Sequence, residues 1–203
     1  MSPENAHKAA AADHPILDLI QNRWSPRAFD ANTPVLDSDV HIMLEAARWA
    51  PSSNNAQPWR YVYGRRGSAG FDRIRATLKE SNVIWAENAG VLAIVAARLT
   101  FDDGRLNPHA EYDTGQSVAF LVLQGTALGL WLHQMAGFDA GKAVETLGIP
   151  EGFVPLTAVA VGHRTDHLTL PTDRLREREL APRKRRPIPN IAAEGTWSAA
   201  LNM

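Results

Sequence analysis

Val40, Met43, Leu44 and Ala47 fall three and four residues apart, the spacing that lines one face of an α-helix. Asp37 stands where it would cap that helix, and Pro51 stands where it would end it. Ile16, Leu17 and Ile20 predict an earlier helix, with Pro15 at its first position. Phe71, Ile74 and Leu78 mark another, and Ala143, Val144 and Leu147 a short one stopped by Gly148 and Pro150. Elsewhere the helical period disappears. Val91 to Ala97 (VLAIVAA) is apolar at every position, as a central strand covered on both faces would be. Leu156 to Val161 reads as a second core strand, and Tyr61-Val62-Tyr63 as a shorter one. Residues 111–130 read as a long helix, apolar nearly all round, and such a helix has to be buried on most sides. A chain of 203 residues has little with which to cover it, so the pattern hints at a second copy of the protein.

Few strands among many helices make this an α+β pattern. Residues 1–14 read as a flexible tail, and the chain turns strongly basic from Arg174 to Arg186 before an irregular, proline-containing end. A hydrophobic content of 45% suffices for one domain with a sizeable core. A net charge of -1 argues against a polyanion binder or an acidic tail. The absence of cysteine excludes disulfides, thiolate catalysis and Cys-ligated metal or iron–sulfur sites, and it fits a cytoplasmic protein. MSPENAHKAAAADH contains Glu4 and Asp13 and lacks the leucine-rich core of a signal peptide. The strongest apolar stretch, Val118 to Leu130, is interrupted by Gln124, Gly125 and Gly129, so no membrane span is expected.

Candidate chemistry is spread over several short segments. In RWSPRAF, residues 23–29, two arginines flank a serine, a set suited to a phosphate, although cations also favour a helix C-terminus. In PSSNNAQPW, residues 51–59, short hydroxyl and amide side chains crowd one connection, suited either to a polar ligand or to an ordinary turn. GLWLHQMAGFD, residues 129–139, holds His133, Met135 and Gly137, where glycine permits close backbone approach but core packing is the simpler reading. RKRRP, residues 183–187, lacks the interleaved aromatics of a nucleic-acid surface, so no nucleic-acid partner is expected. His163 and His167 are four apart but follow a strand and a glycine, with no carboxylate motif to complete a metal site. The dinucleotide fingerprint G-x-G-x-x-G and the phosphate loop G-x-x-x-x-G-K-[ST] are both absent.

The order of these segments resembles the nitroreductase family of FMN-dependent oxidoreductases. The likeness rests on R-x-S-x-R-x-F (Arg23, Ser25, Arg27, Phe29) and on P-S-S-x-N-x-Q-P-W (Pro51, Ser52, Ser53, Asn55, Gln57, Pro58, Trp59). It continues through G-L and G-F-D (Gly129, Leu130, Gly137, Phe138, Asp139) to K-x-R-P (Lys184, Arg186, Pro187), spanning residues 15–190 and leaving 191–203 as an extension. The resemblance implies a central mixed β-sheet surrounded by helices, in an interlocked homodimer with FMN at the subunit interface. It implies NAD(P)H as electron donor and a small-molecule acceptor.

By the same resemblance Arg23, Ser25 and Arg186 hold the FMN phosphate, with Lys184 nearby, and Arg27 faces the N1–O2 edge of the flavin. Backbone amides around Ala136 and Gly137, next to Met135, face its N5–O4 edge. Pro51, Ser52, Ser53 and Asn55 come from the other subunit, supported by Gln57. Two departures stand out. Ala136 replaces a Glu that many members carry, and Trp24, at the pocket edge, stands where smaller or polar residues are common. No catalytic acid or base is implied, and no metal.

Overall fold

The computed structural model describes residues 8–202. They group into two units. The larger runs from Arg23 to Leu180, and the smaller joins the chain before Arg23 to the chain after Leu180. In the larger unit β1 (Trp59–Arg65), β2 (Val91–Arg98), β3 (Trp131–Met135) and β4 (Phe153–Gly162) form one sheet in the order β1-β2-β4-β3. Among the described residues every pairing is antiparallel, where the resemblance implied a mixed sheet. An unbroken apolar run reports that both faces are covered, and strand direction is a separate matter that it leaves open.

Helices supply that cover. On one face Leu92, Ile94, Ala158 and Ala160 pack with Phe71 and Ile74 of α3 (Ala69–Arg75), Trp85 of α4 (Glu80–Ala86) and Val144 of α6 (Ala140–Leu147). On the other, Val91, Val95, Val159 and Val161 meet Val40, Met43 and Ala47 of α2 (Asp37–Arg48) and Val118, Leu121 and Val122 of α5 (Ala110–Ala127). The period-two alternation of β2 thus feeds two separate cores. Pro155 sits inside β4, where it cannot donate to the ladder. The register of β2 and β4 shifts at this point, pairing Ala96 with Pro155 and Val95 with Thr157, so a bulge absorbs the proline.

Expected and observed helices differ at their ends. Leu36, not Asp37, occupies the cap of α2; Asp37 is its first residue and ion-pairs with Arg65 of β1. α2 stops at Arg48, ahead of Pro51. α3 ends at Arg75, and Leu78 lies beyond it, bridged to Phe138. α5 covers less than the expected 111–130, because the chain past Ala127 turns into β3. It also buries one side only. Tyr112 and Phe120 point outward, 68% and 41% exposed in the single chain. α4, β3 and α7 (Asp173–Leu180) were not foreseen.

In the smaller unit α1 (Asp18–Asn22) begins three residues after Pro15, and Ile16, Leu17 and Ile20 stay exposed. Of the tail expected at 1–14, residues 1–7 lie outside the described residues. Lys8 is buried, and Arg183 ties the two ends of the unit together by donating to the carbonyls of Lys8, at 3.0 Å, and Gln21, at 2.6 Å. Two 3-10 turns follow, Ile188–Asn190 and Ala199–Asn202.

Gly64 shows how tightly α3 lies on β1. A Cβ there would stand 2.1 Å from the Phe71 nitrogen and 2.3 Å from the Gly70 carbonyl carbon, both backbone atoms that cannot rotate away. Gly64→Ala should therefore destabilise the protein by about 2 kcal/mol or more. A urea midpoint that falls at unchanged slope would confirm it, and an unchanged midpoint would show that α3 can lift off without loss.

Candidate functional site

Arg23, Ser25 and Arg27 lie on the turn that opens the larger unit. Arg23 Nη1 donates to Ser25 Oγ at 3.3 Å. Trp24 between them is turned inward. Its ring meets Trp131 edge-on at 5.7 Å, and Arg164 lies 5.8 Å over Trp24 and 5.6 Å over Trp131. That packing of cation and aromatics leaves Trp24 only 7% exposed.

The next residues are held from two directions. His133 Nδ1 stands 2.8 Å from the Pro26 carbonyl, which can only accept, so the ring carries its proton on Nδ1. Burial pushes the His133 pKa down to about 4, and the charges of Arg27 and Arg178 push the same way. The ring is therefore neutral at pH 7 and lies 4.6 Å from Trp85. From α7, the buried Glu179 accepts the Arg27 N–H on both carboxylate oxygens at 3.0 Å and the Ala28 N–H at 3.2 Å.

The Arg27 side chain is treated differently from its backbone. It is half-buried, with its guanidinium 5.9 Å over the Trp85 ring. Burial lowers its pKa, Arg178 lowers it further, and Glu179 opposes both. Among the described residues no hydrogen bond or ion pair reaches the guanidinium. The Glu179 carboxylate is engaged by main-chain N–H groups, so its charge acts on the guanidinium without a direct bond to it.

The 51–57 strip has an unusual backbone. Asn54, Asn55 and Gln57 take φ of 50°, 53° and 46°, the left-handed region that side chains other than glycine seldom enter. Asparagine tolerates it best, which accounts for two of the three. Gln57 is under a further constraint, since Pro58 restricts the residue before it. Each such residue costs on the order of 1 kcal/mol, so the surroundings must impose the shape. Asp113 of α5, 3% exposed, accepts the Ser53 N–H at 2.9 Å, and Ser52 Oγ accepts the Gln57 N–H at 3.0 Å. Below them Ser117 donates to the Ala47 carbonyl at 2.9 Å and meets the Tyr61 hydroxyl at 2.8 Å, fixing α2 against α5. Pro51, Ser52 and Ser53 then border an open cleft of about 330 Å³ shared with His109, Tyr112, Asp113 and Gln116.

Met135 ends β3 with its side chain in the core, and Ala136 follows, exposed. The Gly137 carbonyl accepts from the Lys79 N–H and from Asn82 Nδ2, each at 3.0 Å. A Cβ on Gly137 would lie 2.4 Å from that Asn82 nitrogen, so glycine is what lets Asn82 reach the main chain. Asn82, Asp113 and Glu179 thus orient the three candidate segments; the Ser81–Asn82 region carries no assigned role in the sequence, and Asp113 and Glu179 were not foreseen. Lys184 and Arg186 belong to the smaller unit, where both are exposed.

Residues 20–80, which contain the arginine turn and the strip, match the model of the Nitroreductase family. A solved structure described as an oxidoreductase containing FMN is 37% identical, with a TM-score of 0.88 over 98% of this chain and 99% of that one. A Burkholderia lata protein, provisionally named NADH dehydrogenase/NAD(P)H nitroreductase, is 30% identical over 60% of this chain and 68% of its own length.

The chain belongs to the nitroreductase family.

A nitroreductase family protein of Streptococcus pneumoniae, 21% identical, shares the fold at a TM-score of 0.70 over 87% of this chain and 98% of its own. In this nitroreductase chain, no helix of the described residues is long and apolar enough to cross a membrane.

Proposed function

We propose that the protein is an FMN-dependent NAD(P)H oxidoreductase that works as a homodimer and reduces small electrophilic acceptors by a ping-pong mechanism. The observation that carries this reading is the Arg27 guanidinium, half-buried, beside the charge of Arg178 and with no hydrogen bond or ion pair among the described residues. Such a group suits a ligand that is anionic or becomes so, and reduced flavin does. The 37% identical FMN-containing oxidoreductase points the same way.

FMN, when bound, would supply the redox chemistry, hydride transfer between NAD(P)H and a nitroaromatic, a quinone or an activated alkene. The chain supplies binding and electrostatics. Arg23 and Ser25 hold the phosphate, and Trp24 backs the turn. Arg27 stabilises negative charge at the N1–O2 edge. The Ala136 and Gly137 amides, after Met135, serve the N5–O4 edge, with Asn82 orienting that turn. Pro51, Ser52, Ser53 and Asn55, braced by Gln57, come from the second subunit. A flat ring needs short side chains to pass closely, and this strip supplies them.

The outward face of α5, with exposed Tyr112 and Phe120, supports the homodimer, because a single chain leaves it uncovered. The connection between β2 and α5 supports a broad acceptor range. It folds back on itself, Phe101 N–H donating to the Arg105 carbonyl at 2.8 Å, and forms no long lid. The acceptor and donor then share one open cleft in turn.

The purified protein is expected to be yellow, or to become so with FMN, and to bleach anaerobically on addition of NADH or NADPH. FMN identified after heat release, with bleaching by either nucleotide, supports the reading. A colourless protein that cannot be reconstituted sinks it. Bound FMN that neither nucleotide reduces would indicate a flavin-binding module without this turnover.

A further inference from the structure

The proposed reaction gives Glu179 no task, yet Glu179 is a charged side chain only 3% exposed. Leaving a carboxylate out of water is unfavourable unless its oxygens are satisfied. A guanidinium belongs to the very residue it touches, and an ion pair with it would be the ordinary solution. The carboxylate instead takes main-chain N–H groups, two bonds from Arg27 and one from Ala28. Across the turn, His133 holds the Pro26 carbonyl. Two elements distant in sequence, α7 and β3, therefore clamp consecutive peptide groups and leave the arginine side chain unbonded.

We propose that Glu179 is a positioning residue for Arg27: by holding the Arg27 and Ala28 N–H groups, its carboxylate fixes the turn that presents the guanidinium, still unpaired, to the anionic edge of the cofactor. The inference rests on the flavin reading of the site. It makes Glu179 act only through Arg27, which separates it from a residue that merely stabilises the fold.

The test is a double-mutant cycle on the dissociation constant of FMN from the apoprotein, read by quenching of FMN fluorescence, with E179Q, R27Q and the double variant. E179Q keeps the side-chain volume but turns an acceptor toward a donor where two N–H groups already point. It is expected to weaken FMN binding about tenfold, and to shift the flavin midpoint potential in the same direction as R27Q. In the presence of R27Q the additional effect of E179Q should be less than about twofold. Amide hydrogen exchange at residues 27 and 28 should be slow in the wild type and fast in E179Q.

Equal losses with and without R27Q would overturn the proposal, and so would an E179Q that binds FMN like the wild type. E179D, which keeps the charge but draws it back from the turn, should fall between wild type and E179Q. If E179Q does not fold, the cycle is run with E179D and the same criteria. Failure of the wild type to bind FMN at all would defeat the functional reading itself, a result distinct from an additive cycle.

Discussion

Arg27→Gln is expected to weaken FMN binding by about 10- to 100-fold, the range for removing one hydrogen-bonded charge from a partly desolvated site. The apoprotein should lose little stability, because the Arg27 side chain makes no hydrogen bond or ion pair among the described residues and sits beside the like charge of Arg178. Both halves can be read from one preparation, by titrating the apoprotein with FMN and by urea unfolding before FMN is added. The flavin midpoint potential should also fall, since a cation near reduced flavin favours the reduced state. Unchanged affinity and potential would reduce Arg27 to a structural cation stacked on Trp85, and the flavin site would have to be sought elsewhere on the chain.

A second large effect is expected from pH. His133 has a pKa of about 4 in the folded protein, against an ordinary value of 6.5. Between those values the unfolded chain binds the proton and the folded chain does not, so stability is lost as pH falls from about 6.5 toward 4. A displacement of this size corresponds to about 3 kcal/mol across that window, with no further change from this group above it. Protonation would also put a third positive charge beside Arg27 and Arg178, the two that already depress it. His133→Asn keeps an N–H for the Pro26 carbonyl but cannot titrate. Urea midpoints of the variant should be flatter between pH 4 and 7 than those of the wild type. Parallel profiles would mean that other groups govern the acid limb.

What could be read from the sequence followed from local pattern. Val91 to Ala97 and Leu156 to Val161 became β2 and β4 because complete burial writes itself as an unbroken apolar run. α2 and α6 followed from apolar spacing and their stop signals. β3 was hidden because it is five residues long and includes His133 and Gln134, where a core strand would normally be apolar. α7 was hidden because only Leu175 and Glu179 of its eight residues are buried, and one of those is an acid. Glu179 and Asp113 share a deeper reason. Each grips backbone N–H groups far away in the chain, 152 residues in one case and 60 in the other, and a backbone partner leaves no residue type to recognise. The motif residues were visible, and the side chains that aim them were not.

The left-handed strip also limits how this protein can change. Asn54, Asn55 and Gln57 must all accept positive φ, so β-branched residues are barred there by their own backbones, whatever the pocket would gain from them. Glycine is the replacement that relieves conformational strain at these positions, but it contributes no side chain to a binding surface. Random variation of the strip will mostly yield poorly folded protein. Variation at His109, Tyr112 and Gln116, which border the same cleft from ordinary helical or helix-flanking backbone, meets no such filter. If the cleft admits the acceptor as proposed, drift in acceptor preference across a lineage would be channelled to its helical wall, while the backbone beside Pro51, Ser52 and Ser53 stays fixed.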